Sequence, residues 1–163
     1  MAIVEGDKME RVREKVEQMG VFFERSGFAP MTGRVFAYLL VCEPPHKDFY
    51  AIQDFLRASK SAVSNALATL SSEGIVDYIT FSGDRRRYFK INTTGWLVNL
   101  KNKLRRVTVL GDLLDEVLKE RCKSQCPIFN ENLNKIVGFQ HYMSEGIEQL
   151  LEEWDKKHKH NHD

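Results

Sequence analysis

Hydrophobic residues return every three or four positions along most of this chain, except in the middle, where two short runs are β-branched and aromatic instead. From Asp7 to Ser26, Met9, Val12, Val16, Met19 and Phe23 step by 3, 4, 3 and 4. That is a narrow helical seam of the coiled-coil kind, with charged residues on the other faces. Gly27 follows in the place of a C-cap. After Pro30, "MTGRVFAYLLVCE" is more continuously apolar and reads as a buried second helix stopped by Pro44 and Pro45. Phe49, Ile52, Phe55 and Leu56 mark a short third helix. Ser59 is placed to cap a fourth, in which Val63, Ala66, Leu67 and Leu70 share one face and Gly74 closes the end.

"IVDYITF" and "RRYFKI", joined through "SGDR", then read as a β-hairpin. Thr93 is the expected cap of a long helix running from about Trp96 to Arg121. Leu100, Leu104, Val107, Leu114 and Leu118 lie along one side of it, widened by Leu110, Leu113 and Val117. "CKSQCP" interrupts the pattern. A last helix carries Leu133, Ile136, Gln140, Met143, Ile147, Leu150 and Trp154 at steps of 3 and 4, and "DKKHKHNHD" follows without apolar content. The fold class expected is mainly α with a small β-hairpin: a winged helix-turn-helix with long N- and C-terminal dimerisation helices. The winged domain is expected over 30–96, the helical dimerisation region over 7–27 and 97–157, and a disordered tail over 158–163. The outer seams are longer than such a domain can bury. Pairing them across a two-fold axis would cover both; packing on each other within one chain is the alternative.

Composition narrows the function. The 163 residues carry a net charge of only +1, so a polyanion partner has to be sought in the distribution of charge. No run approaches the roughly 18 apolar residues of a membrane span, and the first residues do not resemble a signal peptide. Cys42, Cys122 and Cys126 have no disulfide-framework spacing, which fits a reducing compartment and a cytoplasmic protein.

The fourth helix turns Ser61, Asn65, Ala68 and Ser72 away from its apolar face, with Ser64 beside them. Small side chains let a helix backbone approach the floor of a DNA major groove, where Ser bonds either base type and Asn pairs bidentately with adenine. Lys60 and the amides of the helix N-terminus would meet phosphates. From Arg85 to Arg106 the chain has Arg85, Arg86, Arg87, Lys90, Lys101, Lys103, Arg105 and Arg106, and no acid. A basic middle between acidic flanks is the asymmetry of a phosphate-facing surface. A Ser- and Ala-rich helix beside a solvated charge run is the plainer alternative. Asp84, amid the arginines, reads as an ion-pair partner that orients one of them.

"LRASKSAVSNALATLSSEGIVDYITFSGDRRRYFKINTTGW" resembles the MarR-type winged-helix regulators, and the whole-chain layout is most similar to their GbsR-type branch. The resemblance rests on "SKSAVSNAL", the "EGIV" exit into a strand, the "DRRRYFKI" wing and the "TTG" entry to a long helix, covering roughly Pro30 to Trp96. It implies a homodimeric transcription factor, usually a repressor, with recognition helices in two major grooves and wings at flanking minor grooves. Ser59, Lys60, Ser61, Ser64 and Asn65 would line the groove helix, with Ala68 on the same face, and Arg85, Arg86 and Arg87 the wing. One departure stands out. The turn before the recognition helix often has a Gly where this chain has Arg57, so either the turn avoids positive φ or Arg57 is itself a phosphate contact.

Other signals are weaker. Cys122 and Cys126 could act as a thiol switch, though two ordinary thiols near a helix end explain them. His158, His160 and His162 read as a solvated tail, and Cys42 as core. Trp96, Trp154 and Tyr142 could line a pocket for a small-molecule effector, which core packing explains equally well. With no CxxC or HxxxH partner set, no metal or cofactor is expected, and no catalytic motif emerges. The partners expected are double-stranded DNA and a second copy of the chain. The rival readings are a protein–protein interaction module without specific DNA binding and an enzyme resting on the two cysteines.

Overall fold

Val35, Phe36, Leu39, Ile52, Val63, Leu70 and Ile75 keep at most a trace of solvent exposure, each burial contributing about 1.5–3 kcal/mol. The elements that carry them assemble the first of two units, Met1–Asn99 and Leu100–Asp163. The computed structural model describes residues 2–121 and 126–158, and all of their side chains except those of 2–7, 107 and 108.

The first unit runs α1 (Ala2–Arg25), α2 (Pro30–Val41), β1 (Lys47–Asp48), α3 (Phe49–Leu56), α4 (Lys60–Ser72), β2 (Val76–Ile79) and β3 (Tyr88–Ile91), followed by the start of α5 (Thr93–Arg121). The strands form an antiparallel sheet in the order β1-β3-β2, with Tyr78 opposite Phe89 and Asp48 opposite Tyr88. The fold class is therefore as expected, mainly α with a winged helix-turn-helix. The third strand is an addition: β1 has two residues, too few for any alternation to announce it. Phe36 stands edge-on to Trp96 at 5.0 Å and parallel to Phe28 at 6.0 Å, so Trp96 belongs to this core rather than to a cavity. Cys42 is buried as expected, and burial pushes its thiol pKa up.

Three boundaries differ from the sequence reading. Helix α1 begins at Ala2, before Asp7. Asn92, not Thr93, receives the amide of Gly95 at 2.8 Å at the start of α5. His158, assigned to the tail, is the last residue of α6 (Pro127–His158); residues 159–163 lie outside those described. Packing of α1 differs too. Val16 joins the core and Val12, Met19 and Phe23 pack against it, leaving Met9 and Phe22 exposed. A Cβ on Gly33 would lie 3.1 Å from both the Gly20 carbonyl and Phe23 Cβ, so glycine permits α2 to approach α1 closely. Most of the N-terminal seam is thus covered within its own chain.

In the second unit α5 and α6 form an antiparallel hairpin. Polar links cross it at four levels: Lys101 with Asp155, Arg105 with Glu148, Asp115 with His141, and Arg121 with Asn130. Val137 and Leu151 are buried. Leu113 and Phe139, by contrast, are 55% and 60% exposed, and Val109, Leu110, Ile136 and Leu150 also face outward.

Candidate nucleic-acid interface

The turn between α3 and α4 sets the site. Asp48 caps α3, its Oδ1 accepting the amides of Tyr50 and Ala51 at 2.9 and 3.1 Å. Arg57 ends α3 at φ 49°, ψ 41°, in the left-handed region, its amide bonded back to Asp54 and Gln53. Of the two alternatives, a turn that avoids positive φ is therefore ruled out. An arginine occupies the glycine-favouring position at a cost of about 1–2 kcal/mol, because the backbone bonds that end α3 demand that conformation. Ser59 then caps α4 as expected, accepting the amide of Ala62 at 3.2 Å, and its Oγ lies 3.1 Å from that of Ser61.

Val63, Ala66, Leu67 and Leu70 turn inward from α4, while Lys60, Ser61, Ser64, Asn65 and Ala68 are exposed. The side chains of Lys60, Ser64 and Asn65 have no hydrogen-bond partner among the described residues. The far end of α4 is pinned: a Cβ on Gly95 would come within 2.1 Å of the Gly74 carbonyl, so only glycine lets α5 begin there. Asn99 donates to the Glu73 carbonyl at 3.2 Å from the next turn. Between α4 and the sheet lies an open cleft of about 380 Å³, floored by Ser64, Ala68 and Ser71 and walled by Tyr78, Arg87 and Phe89.

The wing is the loop from Thr80 to Arg87 between β2 and β3. Its arginines differ from one another. Arg86 donates to both oxygens of Asp84, at 2.7–3.1 Å, and to Asp48 Oδ2 at 3.1 Å, while Tyr88 donates its hydroxyl to Asp84 at 2.7 Å. The Arg86 side chain, then its amide, then the Tyr88 hydroxyl hold the Asp84 carboxyl well below the usual carboxylate range. Asp84 is thus the expected ion-pair partner. Arg86 itself, expected at the wing tip as a DNA contact, is a clasp that ties the wing to the cap of α3. Arg87 lies over the Tyr78 ring at 4.7 Å, and Arg85 and Arg87 both remain exposed. His46 packs beside Phe81 and Tyr88 at 5.4 and 5.6 Å.

The basic start of α5 also reads differently. Lys101 and Arg105 face Asp155 and Glu148 of α6, so part of the positive run is neutralised within the hairpin. Sequence reasoning missed Asp48, although an aspartate before an apolar helical run is a cap signal. It had no means to find Asp112, Asp115 and His141, which the pairing of two distant helices brings together.

A helix-turn-helix with an outward small-polar second helix, flanked by an arginine-bearing three-stranded wing, defines a winged helix-turn-helix protein. No family model matches the chain. It is 31% identical over 108 residues to the HTH-type transcriptional regulator MmpR5 of Mycobacterium tuberculosis (strain ATCC 25618 / H37Rv), a match spanning 66% of each chain. The crystal structure of a transcriptional regulator superposes with a TM-score of 0.66 at 26% identity, over 90% of this chain and 99% of that one. NMB1585, a MarR family regulator from Neisseria meningitidis, aligns more loosely, with a TM-score of 0.40 at 15% identity over 91% of this chain and 94% of its own. The chain is thus similar, over some two thirds of its length, to an HTH-type transcriptional regulator, and it shares its winged-helix fold with a transcriptional regulator of known structure. Among the described residues no helix is long and apolar enough to cross a membrane.

Proposed function

We propose that this chain is a homodimeric, sequence-specific DNA-binding transcriptional regulator that acts as a repressor in the cytoplasm. The observation that carries the reading is the exposed face of α4, where Lys60, Ser61, Ser64, Asn65 and Ala68 stand clear of the core beside a cleft and a wing bearing Arg85 and Arg87. In this reading α4 enters the major groove. Asn65 and the serines read base edges, and Ala68 permits close approach. Lys60, Arg57 and the amides at the start of α4 take phosphates. Arg85 and Arg87 reach the minor groove, where a compact cation is attracted to the narrow, strongly negative floor. Arg86 positions the wing rather than contacting DNA.

The relatives support the regulator class, since MmpR5 is an HTH-type transcriptional regulator. Kinship to the GbsR-type branch rests on sequence layout alone. The outward apolar residues of α5 and α6, Leu113 and Phe139 among them, support pairing of two chains through these helices. Such pairing would set two recognition helices roughly 34 Å apart, one DNA turn.

Fluorescence anisotropy with duplex DNA across a salt series, combined with sedimentation analysis, tests the proposal. Two chains per duplex and an affinity that falls steeply with salt are expected. A monomer that binds no duplex even at low salt would overturn it in favour of a protein–protein module.

A further inference from the structure

Within the second unit, α5 and α6 bring three metal-ligating side chains to one place. Asp112 and Asp115 sit at i and i+3 of α5, and His141 faces them from α6, with one ligand atom from each lying within 4.8 Å of the others. His141 Nε2 is 2.8 Å from Asp115 Oδ2. Gly111 lies against the same place: a Cβ there would meet the His141 ring at 3.5 Å and Gln140 Cβ at 3.4 Å, ordinary contact distances. One residue from His141, Gln140 Oε1 is buried with no hydrogen-bond partner among the described residues.

We propose that Asp112, Asp115 and His141 form a binding site for a first-row divalent cation of the Mn²⁺ or Zn²⁺ kind. Two carboxylates and an imidazole are a hard-to-borderline donor set with no thiolate, which suits these ions rather than copper(I) or an iron–sulfur cluster. Carboxylates and histidines projecting from facing helices are also what helical bundles use to build metal centres. Ligand distances of about 2.0–2.2 Å need only small rotations of the three side chains. Asp112 is exposed, so solvent completes the coordination. The ion would cross-link the hairpin at mid-length, between the Arg105–Glu148 and Arg121–Asn130 links, and offset the repulsion of two adjacent carboxylates. The assignment stands independently of whether the protein binds DNA.

The test uses the full chain with His158, His160 and His162 changed to alanine, so that the terminal histidines cannot bind metal. After chelation and dialysis, Mn²⁺ is titrated in and the signal of the free ion followed by electron paramagnetic resonance, with Zn²⁺ as a competitor. One Mn²⁺ per chain is expected, displaced by Zn²⁺, with a rise in the thermal midpoint on loading. Asp112→Asn leaves the Asp115–His141 bond intact. It should nonetheless weaken Mn²⁺ binding by at least the 10–100-fold seen on removal of an outer partner of a metal site, as should His141→Ala. Mn²⁺ binding that is absent, or equally strong in parent and Asp112→Asn, would overturn the site and leave a plain aspartate–histidine hydrogen bond.

Discussion

The two units differ in how completely they bury what is apolar. In the first, Phe36, Ile52, Val63 and Leu70 have 0–1% exposure and aromatic rings pack from α1 through Trp96. In the second, two helices of 29 and 32 residues bury Val137 and Leu151, while Leu113, Phe139 and Leu150 stand more than half exposed. A hairpin of two helices has no interior of its own. Its apolar faces need another surface, whereas the winged unit gathers most of its apolar residues into one core and presents the polar side chains of α4 and the wing. One unit is built to be stable alone and to present a chemical face; the other is built to be completed.

The largest effect should come from the closed unit. Phe36→Ala should destabilise the fold by about 3–5 kcal/mol, read by urea unfolding. Leu113→Ala in an isolated chain should cost no more than about 0.5 kcal/mol, as for an ordinary surface position. If α5 and α6 pair across a dimer, the same substitution should raise the dimer dissociation constant measured by sedimentation. Equal losses at both positions in monomeric protein would erase the contrast between the units.

Next come the residues on the presented face. Asn65→Ala should cost about 1–3 kcal/mol at one base pair and leave affinity for other sequences nearly unchanged. Arg87→Ala should reduce the slope of log affinity against log salt by about one. Arg86→Ala should weaken binding with less change in that slope, because Asp84 and Asp48 already neutralise it. A full unit of slope lost from Arg86→Ala would return that residue to the phosphates. Arg57→Gly should raise stability by about 1 kcal/mol through relief of the left-handed backbone, while a fall in salt slope would identify it as a phosphate contact as well.

A last effect belongs to alkaline pH. Burial pushes the Tyr38 hydroxyl pKa up to about 12 from 10.0. The folded chain keeps that proton where the unfolded chain loses it, so stability is intact below about pH 10 and declines between pH 10 and 12. Tyr38→Phe should flatten that decline.

Local signals made the recognition helix legible. The Ser59 cap, the inward set of Val63, Ala66, Leu67 and Leu70, and the small outward face all follow from spacing along one helix. Long-range pairing was not legible in the same way. Arg86 looks like any wing arginine until Asp48, 38 residues away, is folded against it. The cations of α5 look free until an antiparallel partner places Glu148 and Asp155 across from Arg105 and Lys101. The seam of α1 carries a coiled-coil spacing, yet much of it packs on α2, because a 3-4 stripe specifies a helix with one apolar side and not the surface that covers it. Cys122 lies outside the described residues; Cys126 is exposed.

The most direct measurement is selection and sequencing of duplexes bound from a random DNA library by the purified protein at near-physiological salt, with Asn65→Ala in parallel. An enriched palindrome with half-sites about ten base pairs apart, losing its preference at one position per half-site in the variant, is the expected result. Recovery of no enriched sequence, or of a motif indifferent to Asn65, would contradict α4 as the element that reads DNA.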